Sequence, residues 1–181
     1  IMGSIVGASL FYFQQSSCFP QIEHTSVGAL LLIMLLGCTL LPLPLKWDVR
    51  GWTEMHPLNG PAWSLYYEYI ANILYALFIR RFNKIALTVL VVIAACFTVY
   101  RSLTAPMGDM VGGWALNWEQ QYVGFVRLMY PFFGGLLLSR LGWLIRIKKR
   151  AFWYCALIII VILSIPRLGG EEHYWMNGLY E

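Results

Sequence analysis

The sequence is poor in charged residues. Only 12% of its 181 residues are Asp, Glu, Lys or Arg, whereas an ordinary soluble domain contains about 25%. Apolar residues make up 59% of the chain. This balance excludes a soluble globular domain and indicates a membrane protein. The net charge of +4 is then explained by topology, and we expect no acidic or nucleic-acid partner.

The chain also lacks the patterns of a disulfide framework or of a metal site. Its four cysteines are isolated, without paired spacing. His24, His56 and His173 have no Cys or His neighbour at ligand spacing. We therefore expect no metal. The sequence has no internal repeat and no low-complexity segment.

Apolar runs dominate what is present. A transmembrane helix needs about 20 apolar residues, and six runs approach that length, some of them short. They are Ile1–Phe13, Ser26–Leu45, Trp63–Ile79, Ile85–Tyr100, Val123–Leu138 and Ala151–Ile165. The pattern predicts an all-α fold, a polytopic transmembrane helix bundle with about five to six membrane segments. Because the chain begins inside an apolar run without an initiator Met, we expect residues 1–181 to be the central part of one membrane domain, truncated at both ends.

Basic residues are concentrated in two short links. Arg80–Lys84 and Arg140–Arg150 contain eight of the chain's 13 basic residues and no carboxylate. The positive-inside rule predicts that both links are cytoplasmic. The second link has an alternative role, contact with the phosphates of a cytoplasmic donor or with anionic lipid.

This orientation leaves one segment unsettled. Residues 46–62 fall on the outer side, and residues 14–25 also read as an outer loop because they contain no basic residue. Gly37, Pro42 and Pro44 would allow residues 26–45 to enter the membrane and return on the same side. The alternative is a plain span.

The most informative stretch is Asn59–Glu68, which reads Asn-Gly-Pro-Ala-Trp-Ser-Leu-Tyr-Tyr-Glu. Pro61 suits the first turn of a helix, and Trp63 is typical of a membrane interface. Glu68 follows about five residues into an apolar run. A carboxylate at full membrane depth costs roughly 2.5–3.5 kcal/mol, so Glu68 needs either a partner or a function.

A polar stripe follows along the same helix. Ser64, Glu68, Asn72 and Tyr75 are separated by four, four and three residues, a spacing that puts them on one helical face. Such a stripe is expected to face the bundle interior or a wet cavity. The alternative for Ser64 and Asn72 is hydrogen bonding between helices.

Arg127 is the natural partner of Glu68. It lies four or five residues into a segment that also enters from the outer side, so we expect the two residues at similar depth. An ion pair would lower the burial cost of both, and the guanidinium could instead hold an anionic group of a substrate. Further along, Pro131 predicts a kink, and Gly134-Gly135 predicts a close helix contact.

Two residues of the outer loop could transfer protons. His56 and Glu54 precede the motif by a few positions. The alternative is that His56 is a solvated loop histidine without a role in the chemistry.

Two stretches resemble the bacterial acyltransferase 3 family. Residues 60–68 match the family pattern Gly-Pro-x-Trp-Ser-Leu-x-x-Glu, and Arg127-Leu-Met-Tyr-Pro-Phe-Phe-Gly-Gly also resembles the family. The resemblance implies an integral membrane O-acyltransferase of the bacterial inner (cytoplasmic) membrane, multi-pass, acting on envelope or exopolysaccharide sugars. Acyl-CoA, as acetyl-CoA, would be the donor and a glycan the acceptor.

The resemblance also implies roles for individual residues. Glu68 and Arg127 would be catalytic, and the substrate-binding residues would be Trp63, Ser64, Asn72 and Tyr75. Members carry a catalytic His in an early helix and an Arg-rich cytoplasmic motif that binds the acyl-CoA, and both are expected before Ile1. The alternative function is a transporter or flippase of a lipid-linked saccharide, which would also use intramembrane Glu and Arg.

Overall fold

The computed structural model describes residues 1–13, 21, 24–106, 108–142, 150–164 and 176. These residues form six α-helices and no strands, which confirms the predicted all-α class for this part of the chain. The helices are α1 (Met2–Phe13), α2 (Val27–Gly37), α3 (Ala62–Leu77), α4 (Lys84–Thr104), α5 (Trp118–Leu141) and α6 (Ala151–Ser164). Most of the basic link Arg140–Arg150, and most of the predicted outer loop 14–25, lie outside the described residues.

Two of these helices are long and apolar enough to cross a membrane. They are α4, with 21 residues, and α5, with 24. The helices α1, α2 and α6 are apolar but shorter, and α3 has 16 residues. The described residues therefore support two spanning helices, and the predicted five to six membrane segments are not confirmed.

Local sequence explains where the helices begin. Ser26 accepts a hydrogen bond from the Ala29 amide at 3.2 Å, and Asn83 accepts one from Ala86 at 2.8 Å. Both side chains satisfy an amide that the first turn of a helix leaves free. Pro61 directly precedes α3. The helix α5 continues through Pro131 as far as Leu141.

The chain forms two compact units, one of Ile1–Arg81 with Val111–Leu128 and one of Phe82–Met110 with Met129–Glu181. In the first unit α1 packs against α2. Its core consists of Ala8, Phe11, Leu30, Ile33, Leu43, Val49 and Leu58. In the second unit α6 has no buried residue, and its surface is formed by large apolar side chains. Such a surface suits contact with lipid.

The segment 26–45 turns back on itself within the first unit. Its helix α2 has 11 residues and is therefore about 16 Å long, which is too short to span a membrane. The chain then turns at Cys38–Leu40, where Leu40 has φ of 60°. Residues on both sides of the segment, Thr25 and Lys46 among them, line a single cavity. The two ends of the segment lie beside each other, which is the geometry that the re-entrant alternative requires. Re-entry and a plain span both stay predictions, and residues 26–45 are named the re-entrant segment below after the first of them.

Backbone hydrogen bonds connect three segments of this unit. The Leu43 amide donates to the Met55 carbonyl at 2.9 Å, and the Met55 amide donates to the Trp114 carbonyl at 2.7 Å. Met55 is fully buried. The end of the re-entrant segment, the loop before α3 and the loop before α5 therefore lie together.

Candidate active site

The polar stripe of α3 bonds to its own helix. The Ser64 hydroxyl donates to the Pro61 carbonyl at 3.0 Å, and the Asn72 amide donates to the Glu68 carbonyl at 2.8 Å. Tyr75 is half-buried. Across the described residues Ser64 and Asn72 make no side-chain hydrogen bond to another helix, so the interhelical alternative finds no support there.

Glu68 is exposed on this face. An ion pair joins Arg50 to Glu54. Among the described residues, the Glu68 carboxylate forms no ion pair. An exposed carboxylate without a partner keeps its acceptor sites free for a ligand. The structure therefore leaves Glu68 available for the role that the sequence predicts.

Arg127 lies against Trp63 and not against Glu68. Its guanidinium carbon is 4.8 Å from the centre of the Trp63 ring, and its Nη1 donates to the Gly112 carbonyl at 3.0 Å. The predicted ion pair between Glu68 and Arg127 does not form. Side chains on a helix lean towards its N-terminus, so Arg127 reaches back along α5. The residue that it contacts, Trp63, precedes Glu68 by five positions on α3, a rise of about 7.5 Å.

Two glycines before α5 permit this arrangement. Gly112 and Gly113 have φ of +142° and +107°, values that other residues rarely adopt. The Gly113 amide donates to the Gln120 side chain at 2.7 Å. A Cβ at Gly113 would lie 3.0 Å from the Trp63 ring. The loop can therefore pass close to Trp63 and present a carbonyl to Arg127.

The contact between α3 and α5 depends on Gly124, which sequence reasoning missed. Tyr67 is 1% exposed, and its ring lies 6.2 Å from that of Trp63 and 5.2 Å from that of Phe125. A Cβ at Gly124 would lie 2.2 Å from Cζ of Tyr67. Gly124 precedes Arg127 by three positions and thus shares its helical face, a spacing that could have identified it.

The predicted close contact at Gly134-Gly135 is wrong for the described residues. No atom there lies within 4 Å of a Cβ built at either glycine. The helix α5 makes its close approach ten residues earlier, at Gly124, because the large ring of Tyr67 needs a neighbour without a side chain.

His56 is buried and not solvated. Its side chain is 3% exposed, and neither ring nitrogen has a hydrogen-bond partner among the described residues. Burial lowers the pKa of His56 to about 4, so the imidazole is neutral at pH 7. Its ring lies 6.2 Å from that of Tyr66. The interpretation of His56 as a solvated loop residue is wrong.

Glu54 is engaged elsewhere in the same loop. Burial raises its pKa, and the nearby Arg50 partly opposes that rise. The Arg50 Nη1 lies 3.1 Å from Oε2 of Glu54. Arg50 also lies over the rings of Phe11 and Trp52. This set of contacts fixes the loop, and proton transfer by Glu54 or His56 stays a prediction.

Two separate arrangements are therefore present: the exposed carboxylate of Glu68, and the Arg127 guanidinium held by the Trp63 ring and the Gly112 carbonyl. Glu68 follows Trp63 by five positions, about 140° around α3, so the two residues lie on different faces of that helix. A carboxylate can accept hydrogen bonds from hydroxyl groups, and a guanidinium can donate to a carbonyl or to an anion. In the described part of the chain, no group of three His, Cys, Asp or Glu side chains converges as metal ligands would.

Comparison with known proteins identifies the family. The family model described as an acyltransferase domain matches residues 3–180, a range that includes every residue of the site. No curated protein and no solved structure matches the chain. Because the match covers almost the whole sequence, the chain belongs to the acyltransferase 3 family, and its domain is an acyltransferase domain.

Proposed function

We propose that this acyltransferase moves an acetyl group from acetyl-CoA to a hydroxyl of a cell-envelope or exopolysaccharide glycan. The hydroxyl oxygen forms a bond to the thioester carbonyl carbon, the carbon–sulfur bond breaks, and the hydroxyl proton ends on the sulfur of CoA. A general base must remove that proton. In keeping with the family resemblance, we expect a histidine to supply the base.

The observation behind the proposal is the free carboxylate of Glu68 one and a half turns below Trp63 and Arg127. Glu68 accepts a hydrogen bond from the acceptor sugar and orients its reacting hydroxyl. Arg127 keeps further N–H donors beyond the one bonded to Gly112, and these stabilise the oxygen that gains charge during acyl transfer. Ser64, Asn72 and Tyr75, on the same face of α3 as Glu68, line the surface on which the sugar lies, and Trp63 supports the site by holding Arg127.

The proposed location is the bacterial inner membrane, with several spans. The two helices long enough to cross a membrane support this placement. Arg80 and Arg81, both exposed, follow α3 directly and would lie on the cytoplasmic side with the acyl-CoA. The glycan acceptor would approach from the outer side, so that its hydroxyl group and the thioester of acyl-CoA meet inside the membrane domain. The family match favours this enzyme over the transporter or flippase of a lipid-linked saccharide.

The test is a substitution in the full-length protein. Glu68→Gln keeps the size of the side chain but removes the charge, and we expect it to abolish acylation of envelope glycans, measured by mass spectrometry, while membrane insertion is unchanged. Glu119→Gln is the matched control because Glu119 is also an exposed carboxylate, at the start of α5. Wild-type product levels in Glu68→Gln would remove Glu68 from the mechanism. Unchanged acylation with an accumulation of lipid-linked glycan in cells that lack the protein would point to the transporter.

A further inference from the structure

A cavity of about 520 Å³ lies where the re-entrant segment begins and ends. Cavities of a few hundred Å³ are typical of small-molecule sites. Its residues come from three stretches of the first unit: the chain before α2, the first turns of α2, and the 3₁₀ turn Leu45–Trp47 with the two residues after it. Glu68, Arg127 and Trp63 do not line it. The cavity is therefore separate from the candidate active site.

The cavity has a polar mouth and a partly apolar lining. Trp47 is half-buried in its wall, and the Nζ of Lys46 lies 6.0 Å from the ring of Trp47. His24 and Gln21 are exposed at the mouth. The apolar part of the lining consists of Ala29, Leu32, Ile33 and Val49, of which Ile33 and Val49 are buried. An aromatic ring beside several donors and acceptors binds a ligand that has both an apolar face and many hydroxyl groups.

The charged residues in the cavity lining limit the charge of the ligand that can bind. Asp48 lines the cavity, but its two carboxylate oxygens already accept the amides of Arg50 and Thr53. Lys46 is the cation among the lining residues. A single ammonium group does not balance a polyanion such as a nucleoside triphosphate. The lining fits a neutral or singly charged ligand.

We propose that this cavity binds a saccharide, with a sugar ring against Trp47 and its hydroxyl groups bonded to Gln21, His24 and Lys46. The proposal rests on the proposed function, because it places recognition of the acceptor glycan in the re-entrant segment, away from Glu68. The sugar ring comes either from a free oligosaccharide or from a lipid-linked one whose chain follows the apolar part of the lining.

The experiment measures binding and not transfer. Full-length protein in lipid nanodiscs is applied to an array of oligosaccharides that contain glucose, galactose, mannose, N-acetylglucosamine or uronic acids, and separately to vesicles that carry a polyprenyl-linked disaccharide. We expect Trp47→Ala to weaken binding about tenfold or more, as loss of a central aromatic contact does. Trp118→Ala is the matched control because Trp118 is exposed and lies outside the cavity.

The outcomes separate the two proposals. Binding that Trp47→Ala weakens and Trp118→Ala leaves unchanged supports the cavity, whichever ligand form is preferred. A preference for the free or the lipid-linked form identifies the source. Equal weakening of binding by Trp47→Ala and Trp118→Ala would contradict the assignment of the cavity as the binding site. If the wild-type protein binds no member of the array and does not bind the vesicles, the proposal that the ligand is a saccharide is wrong. Failure of Glu68→Gln to affect transfer would contradict the proposed role of Glu68 without affecting this binding test.

Discussion

Replacing Gly124 by alanine should loosen the contact between α3 and α5. The added methyl group would lie 2.2 Å from Cζ and 2.5 Å from the hydroxyl oxygen of Tyr67. The ring of Tyr67 cannot move aside easily because Trp63 and Phe125 flank it. Forcing a methyl group into a packed contact costs about 1–3 kcal/mol. Gly→Ala inside a helix recovers about 1 kcal/mol, so the net change is a destabilisation of up to about 2 kcal/mol.

Gly135→Ala is the matched control in the same helix. No atom lies within 4 Å of a Cβ at that position, so this variant should gain the helix propensity without the clash. The difference between the two variants isolates the steric cost. At about 2–4 °C per kcal/mol for a chain of this size, we expect the Tm of Gly124→Ala to lie several degrees below that of Gly135→Ala.

The assay is thermal unfolding of the full-length protein in one detergent, with acyl transfer measured on the same samples. Transfer should fall in Gly124→Ala, because movement of α5 takes Arg127 away from Trp63, and should persist in Gly135→Ala. Tyr67→Leu in the Gly124→Ala background should restore part of the Tm, since residues in contact are not additive. Equal Tm values for the two glycine variants would refute the reasoning.

Two further predictions concern the outer loop and the re-entrant segment. The pKa of His56 is about 4 in the folded chain and 6.5 ordinarily, so the unfolded chain binds more protons between these values and stability falls as the pH is lowered through them. Thermal unfolding should show a loss of stability of the order of 1–3 kcal/mol, and His56→Gln should reduce that loss. Parallel pH profiles of stability for the wild type and His56→Gln would contradict this prediction. In a cysteine-free full-length protein, His24→Cys and Leu45→Cys should both react with an impermeant maleimide from the outer side, whereas labelling from opposite sides would show a plain span.

The sequence predicts the helical class and the elements that bear the site, because both depend on local patterns. Gly60-Pro61 followed by an apolar run places the start of α3 correctly. The spacing of Ser64, Glu68 and Asn72 correctly puts them on one side of that helix. These features require only the helical period and the conformational limits of glycine and proline.

The partners of the side chains could not be predicted in the same way. Opposite charge suggested that Arg127 would pair with Glu68, but the direction of helical side chains and the nearby Gly112 carbonyl place it on Trp63. Two adjacent glycines suggested a contact at 134–135, whereas the contact forms at the single Gly124 opposite Tyr67. Each of these contacts depends on the relative rotation of two helices, and a single sequence carries no information about that rotation.

The hydrogen bonds that join Leu43, Met55 and Trp114 use only backbone atoms. Their geometry does not depend on which side chains the connected loops carry. Side chains at the cavity mouth, such as His24 and Lys46, can therefore be exchanged while this framework keeps its shape. If the cavity binds the acceptor as proposed, acceptor preference could be changed through a few exposed loop residues, with no alteration of the helices that hold Glu68 and Arg127.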